Sequence, residues 1–293
     1  MIKYLKRYNI MDLNFEIQSQ IPFCLVDTYD KFEIQDNVFR PDIMFQIMKA
    51  EHIDLEEYKF ISTIKDSICY SYYENDKEKL KVAYHEKNPS AIRWYIRQEK
   101  NRDTIFRIYV SDNWKMYLNN LDPFILLGLS EFLCNKQAFL LHASVVKFKD
   151  YGFVFTAPSG TGKSTQAELW EKHYNAKILN GDRALIRKTH LGYNVYGSPY
   201  AGSSYIYENE GVPLKAIFII RQAEYNKITK MASKDKFVCL LSEILYCKTD
   251  KEVAQKQMDN IMELITSVPV YLFECKPNKD AVDAAYNLLE EVE

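Results

Sequence analysis

Residues 140–165 read LLHASVVKFKDYGFVFTAPSGTGKST, and the rest of the chain is read outward from them. The apolar runs LLHASVVKF and GFVFTA flank the turn-like Lys149, Asp150 and Tyr151, which predicts a β-hairpin whose second strand runs straight into a glycine-bearing turn. Only nine glycines occur in the chain and seven of them lie between Gly152 and Gly202, so backbone freedom is concentrated here. Within this stretch APSGTGKST satisfies phosphate-loop spacing with alanine in first place: Ala157, four residues, then Gly162, Lys163 and Ser164. Such a loop needs a strand before it and a helix after it, so that backbone N–H groups and the helix dipole converge on an anion. The pattern predicts both, the helix over 164–174. Gly160 and Gly162 then let the backbone curl around a β-phosphate, Lys163 brings a point charge to the β and γ oxygens, and Ser164 offers a hydroxyl to Mg²⁺. Ser159, Thr161 and Thr165, the last facing an α-phosphate, complete the expected nucleotide-binding set. The competing reading is a glycine-rich turn with a helix start and no ligand.

Downstream, the sequence predicts a strand at Lys177–Asn180, a hairpin near Leu185–Tyr196 and a buried strand at Ala216–Ile220. Helices are expected near 234–247 and 251–266, then a strand VPVYLFEC and a closing helix near 281–291. Asp182 stands at the end of the short strand, where a phosphate loop finds its metal-binding or catalytic acid; Asn-Gly-Asp is equally a good turn. Arg221 ends the apolar run AIFII, a place for a cation that neutralises transferring phosphate, or simply for an exposed strand-end arginine. Tyr200, Ser203, Ser204 and Glu208 lie in a loop after Pro199 that is a candidate border of an acceptor site. His142, taken alone, is a structural histidine at a strand start.

Upstream, perfect alternation over residues 11–18 and again at Ile43, Phe45, Ile47, at Leu80, Val82, Tyr84, at Ile92, Trp94, Ile96 and at Phe106, Ile108, Val110 predicts a mostly antiparallel sheet. In the hairpin AIRWYIRQEKNRDTIFRIYV this leaves Arg93, Tyr95, Arg97, Arg107 and Tyr109 on a second face, read as solvated or, more sharply, as a dock for an acidic acceptor. Asp122 and Pro123 open a helix. A length of 293 residues suits two domains, here 1–120, β-rich with an acceptor or regulatory role, and 121–293, nucleotide-binding. No apolar run approaches the ~18–20 residues of a membrane span, and the polar MDLNFEIQSQ after MIKYLKRYNI argues against a signal peptide, so a cytoplasmic location is expected. Residues 1–130 carry 18 basic and 20 acidic groups and residues 131–293 carry 20 of each, so net charge points to no nucleic-acid partner. The six cysteines show no CxxC spacing, and neither disulfides nor zinc are expected.

SGTGKST, the hairpin bearing His142 and the pair Asp182-Arg183 together resemble the catalytic domain of HPr kinase and the ATP-dependent phosphoenolpyruvate carboxykinases, over roughly residues 138–225. The tail PVYLFECKPNKDAVDAAYNLL is similar to the close of HPr-kinase-like proteins found beside peptide-modifying enzymes. The resemblance implies an α/β (α+β) fold, with a β-rich N-terminal domain followed by a carboxykinase-like domain with a mixed sheet. It also implies Mg-ATP as cofactor and transfer of phosphate to a serine hydroxyl of a peptide or protein, or to a small molecule. Lys163, Asp182 and His142 match its catalytic positions, with Ser164 and Asp182 toward the metal, and Arg221 joins them as a candidate. Where HPr kinase has two adjacent acids this chain has Gly181 then Asp182, and the later signature loop of the bifunctional kinase/phosphorylase is not found. The alternative is a nucleotide-binding regulatory module without phosphoryl transfer.

Overall fold

The computed structural model of the chain describes residues 1–35, 39–65, 69–85, 88–102, 104–111, 118, 130–246 and 250–290. The chain divides into two compact units, Met1–Phe132 and Leu133–Glu293, a dozen residues beyond the expected boundary. The helix start expected at Asp122 and Pro123 lies outside the described residues. Mixed α and β content, with two large mixed sheets and few helices, is the fold class. No helix among the described residues is long and apolar enough to cross a membrane.

The first unit is built on β1 (Tyr4–Ile10), β2 (Leu13–Ser19), β3 (Ile43–Lys49), β4 (Lys59–Lys65), β5 (Cys69–Glu74), β6 (Glu78–His85), β7 (Asn88–Glu99) and β8 (Ile105–Val110). They lie in the order β1-β2-β3-β8-β7-β6-β5-β4. Strand β3 runs parallel to both β2 and β8, so the sheet is mixed, whereas sequence periodicity alone cannot separate the two directions. The strand expected to begin at residue 11 begins at Leu13. Met11 and Asp12 have φ of 50° and 58° and make the two-residue turn that pairs Ile10 with Leu13. Two left-handed residues match the strand twist in such a hairpin, but Asp12 is the one residue of the favoured types in it, so the local signal is weak.

The face of Phe15, Phe45 and Phe106 is core, with ring centroids 6.5 Å apart for the first pair and 5.7 Å for the second. The opposite face of the β7–β8 hairpin is packed as well, which corrects its expected solvation. Tyr95 stacks on Tyr109 at 4.6 Å and clusters with Leu80, Val82, Ile53 and Tyr58. The like charges are relieved within the unit. Arg107 Nη1 lies 2.6 Å from Glu99 Oε1, and Arg97, over both tyrosine rings, lies 3.6 Å from Glu78 Oε1.

The second unit follows a short helix, α1 (Ser130–Asn135), with β9 (Ala138–Phe148), β10 (Tyr151–Thr156), α2 (Lys163–Tyr174), β11 (Lys177–Asn180), β12 (Arg183–Thr189) and β13 (Gly192–Tyr196). Then come β14 (Gly211–Gln222), β15 (Lys227–Lys230), α3 (Ser233–Glu243), α4 (Lys251–Ser267), β16 (Val270–Cys275) and α5 (Lys279–Glu290). Strand order is β10-β9-β12-β13-β14-β16-β15, with β11 beside β9 and β10 also beside β14. Strands β10, β14 and β16 are parallel neighbours, so their carboxyl ends emerge together. Trp170 of α2 and Ala281, Val282 and Ala285 of α5 belong to one core cluster, and Leu240 of α3 with Ile261, Leu264 and Ile265 of α4 to another. Strand β15, absent from the sequence expectations, is a four-residue KITK edge strand with too little alternation to register.

Candidate active site

Strand β10 delivers the chain into the 157–162 loop with Phe155 and Ala157 buried, and α2 leaves it anchored by Trp170, which stacks on Phe153 at 5.5 Å. Gly160 and Gly162 have φ of 76° and 112°, values that side chains resist, and Gly162 caps α2. Lys163, the first helical residue, is 6% exposed and donates to Ala157 O at 2.8 Å and Pro158 O at 3.3 Å. Its ammonium is thus curled over its own loop. Desolvation pulls its pKa below the ordinary lysine value, opposed by the carboxylates of Glu243 and Asp182 and assisted by Arg183. Ser164 Oγ donates to Gly181 O at 3.4 Å, which ties the helix start to the β11–β12 turn. Ser159, Thr161 and Thr165 share the loop and first turn, with Thr161 Oγ1 donating to Pro158 O at 2.8 Å.

Asp182 lies in that turn. Asn180 Oδ1 accepts from Asp182 N at 2.8 Å and Arg183 N at 2.7 Å, while its Nδ2 donates to Ser198 O at 3.0 Å and Tyr200 O at 2.8 Å. The backbone is therefore a side-chain-locked turn, and the Asp182 carboxylate projects from it. Oδ1 lies 3.7 Å from His142 Nε2, and Oδ2 lies 3.7 Å from Arg183 Nε. His142 sits in mid-strand rather than at a strand start, opposite Arg183 in the β9–β12 register. The expectation failed because β9 begins four residues earlier, at Ala138.

The structure adds a residue that sequence reasoning missed. Glu243, the last residue of α3, has a side chain 11% exposed and places Oε2 2.9 Å from His142 Nδ1. Its position is held by the chain that follows, because Ile244 bridges Leu141 and Leu245 N donates to Leu140 O at 2.9 Å. An imidazole is thereby set between two carboxylates, Glu243 and Asp182. The two residues in the tighter contact are 101 positions apart, and nothing in the local pattern SEILYC marks the acid.

Gly181 has a spatial explanation. A Cβ there would stand 2.0 Å from Ser204 Oγ and 3.0 Å from Ser204 Cβ, so the loop after Pro199 occupies the room of a second acid. Tyr200 is buried and Ser204 borders Gly181, whereas Ser203 is exposed and Glu208 pairs with Lys177 at 3.2 Å. Arg221 is mostly exposed and reaches Glu274 Oε1 at 3.7 Å.

No group of three or more His, Cys, Asp or Glu able to hold a metal occurs among the described residues, so a cage made wholly of such side chains is not seen there. Mg²⁺ asks for less, one or two protein oxygens with phosphate and water completing its shell. The Ser164 hydroxyl, which reaches Gly181 O, and the carboxylate of the next residue, Asp182, are oxygen donors of the right kind.

No curated protein matches the chain. A family model described as SynChlorMet cassette protein ScmC matches residues 108–278, a span that takes in the 157–165 loop, His142, Asp182 and Glu243 together. Because the match covers more than half of the 293 residues, the chain belongs to the family of the SynChlorMet cassette protein ScmC.

Proposed function

We propose that the protein is a Mg-ATP-dependent phosphotransferase of the HPr-kinase-like and carboxykinase-like type, acting on a serine hydroxyl of a peptide or protein, or on a small molecule. One observation carries the reading: a loop with two left-handed glycines presents Lys163 and Ser164 directly beside the Asp182–His142–Glu243 group. The backbone N–H groups at the start of α2 and the Lys163 ammonium bind and orient the phosphates, a task of positioning and charge neutralisation. Lys163 leaves Ala157 O and Pro158 O for phosphate oxygens, and because it is already desolvated, it loses little water in doing so. Ser164 and Asp182 would hold Mg²⁺, which when bound neutralises charge on the phosphates. The acceptor oxygen bonds to the γ-phosphorus as the bond from that phosphorus to the β–γ bridging oxygen breaks, ADP leaves, and the hydroxyl proton passes to the oxygen of the Asp182 carboxylate that the metal would not use. His142 orients that carboxylate and is itself held by Glu243, so a spatially contributed acid stands in for the neighbour that Gly181 cannot supply.

Calorimetry with Mg²⁺ and a non-hydrolysable ATP analogue tests the loop. Lys163→Ala should weaken binding by about 10-fold or more, roughly 1.4 kcal/mol, with the fold intact. Equal affinity in both proteins removes the reading. Release of ADP stimulated by cell extract separates transfer from a purely regulatory nucleotide site, which would bind without turnover.

A further inference from the structure

We infer that the cleft beside the 160–162 turn receives the nucleoside of the bound ligand, so that a nucleoside 5′-triphosphate lies with its base between the ends of β14 and β16 and its terminal phosphate toward Asp182. This deepens the proposed function and rests on it. The cleft has a volume of about 560 Å³ and is lined by the turn, by Thr165 and Gln166 of α2, by residues 220 and 222–224 at the end of β14 and by residues 275–277 at the end of β16. Such a volume lies within the range of small-molecule sites, roughly 300–1,000 Å³, and is far more than a phosphate group fills.

Three further features point the same way. Strands β10, β14 and β16 are parallel, and open sheets of this kind take ligands in the crevice outside their carboxyl ends, which is where the cleft opens. The loop also has a direction. Ser164 faces Gly181 and Lys163 is within electrostatic reach of Asp182 and Glu243, whereas Thr165 lines the cleft, so phosphates that run along the loop lead into it. Finally, the lining joins flat apolar surface from Ile220, Ala223 and Pro277 to amides suited to the edge of a base or to ribose. Gln166 is 2% exposed; its Nε2 donates to Cys275 Sγ at 3.3 Å and Lys276 O at 3.5 Å, but its Oε1 has no hydrogen-bond partner among the described residues. A buried acceptor left unpaired is costly, and a small turn of this amide lets a hydroxyl or amino donor on the ligand satisfy it.

Calorimetry with two ligands separates this inference from the reading beneath it. In the presence of Mg²⁺ the wild-type chain should bind a non-hydrolysable ATP analogue at least 10-fold more tightly than inorganic tripolyphosphate. Ala223→Phe, which fills the cleft, should remove most of that advantage and leave tripolyphosphate affinity within about twofold; Lys163→Ala should weaken both ligands. Equal wild-type affinity for the two ligands overturns the nucleoside site and leaves the phosphate loop standing, as does an Ala223→Phe chain that keeps its full preference for the analogue. Failure of both ligands to bind the wild type removes the phosphate loop itself and the inference with it.

Discussion

Replacing Gly181 by alanine puts a Cβ 2.0 Å from Ser204 Oγ and 3.0 Å from Ser204 Cβ. The backbone itself is no obstacle, since Gly181 is not among the glycines with positive φ. The cost is contact alone, and overpacking of this kind typically costs about 1–3 kcal/mol. Ser204 Oγ must also leave Ala201 O, to which it donates at 3.0 Å, a bond worth roughly 1 kcal/mol. The two costs together come to about 2–4 kcal/mol, and for a unit the size of Leu133–Glu293, where 1 kcal/mol moves Tm by about 2–4 °C, the variant should melt roughly 4–16 °C lower. Ser204→Gly removes both obstructing atoms. A double-mutant cycle from urea denaturation followed by circular dichroism should therefore show a favourable coupling of about 1 kcal/mol or more between Gly181→Ala and Ser204→Gly. Gly181→Asp should follow the same pattern, tolerated once residue 204 is glycine. If Gly181→Ala is as stable as the wild type, or if the two substitutions are additive, crowding by Ser204 is not why an acid is missing here.

Glu243→Gln keeps the shape of the His142 contact but removes its charge; in the proposed reaction kcat should fall at least 10-fold with little change in KM, and Glu243→Asp should restore part of it, whereas an unchanged kcat strikes Glu243 from the site. Asp182→Asn, which retains the turn bonds of Asn180, should lose about 10²–10⁴ in turnover while Tm moves little, and full activity with the same Mg²⁺ dependence returns Asp182 to a turn residue. Stability should also depend on pH through Lys81, whose Nζ lies 4.2 Å from the Tyr70 ring centroid and whose pKa burial pushes down from 10.5 to about 8. Between those values the unfolded chain binds more protons than the folded one, so stability rises with pH; above about pH 10 it falls, because burial and Glu78 raise Tyr58 to about 12 and the unfolded tyrosine ionises first. Urea titrations at pH 7.5, 9 and 10 should show that rise in the wild type and a flatter profile in Lys81→Met; identical slopes refute the assignment.

Much of the second unit was legible because its signals are contiguous. The β9–β10 hairpin, the 157–165 loop and helix α2 follow from alternation, two glycines and a turn within a span short enough for local chemistry to decide. β11 and the Asn180–Asp182 turn are local for the same reason. The Asp182 turn is made by the Asn180 side chain, so the turn itself does not use the Asp182 carboxylate. In the first unit, alternation located most strands, and the expected antiparallel pairing holds for five of the seven neighbouring pairs among the described residues, failing where β3 runs parallel to β2 and β8. The alternation also ran through Met11 and Asp12, where the chain reverses without a glycine or asparagine to say so. The arginine-bearing face of β7 and β8 looked solvated in sequence because the residues that cover it, Ile53, Tyr58, Leu80 and Val82, come from other elements.

Where backbone freedom, a lysine and a hydroxyl coincide is legible from neighbouring residues alone, because a strand, a tight turn and a helix start are short-range events. Tertiary structure alone decided which groups face them. Glu243 meets His142 because α3 packs on the sheet and Ile244 bridges Leu141, and Ser204 closes the space beside Gly181 because the loop after Pro199 folds back over β11. These contacts join residues far apart in the chain, and their distances are fixed by the packing of the sheet and helices rather than by any pattern among neighbours.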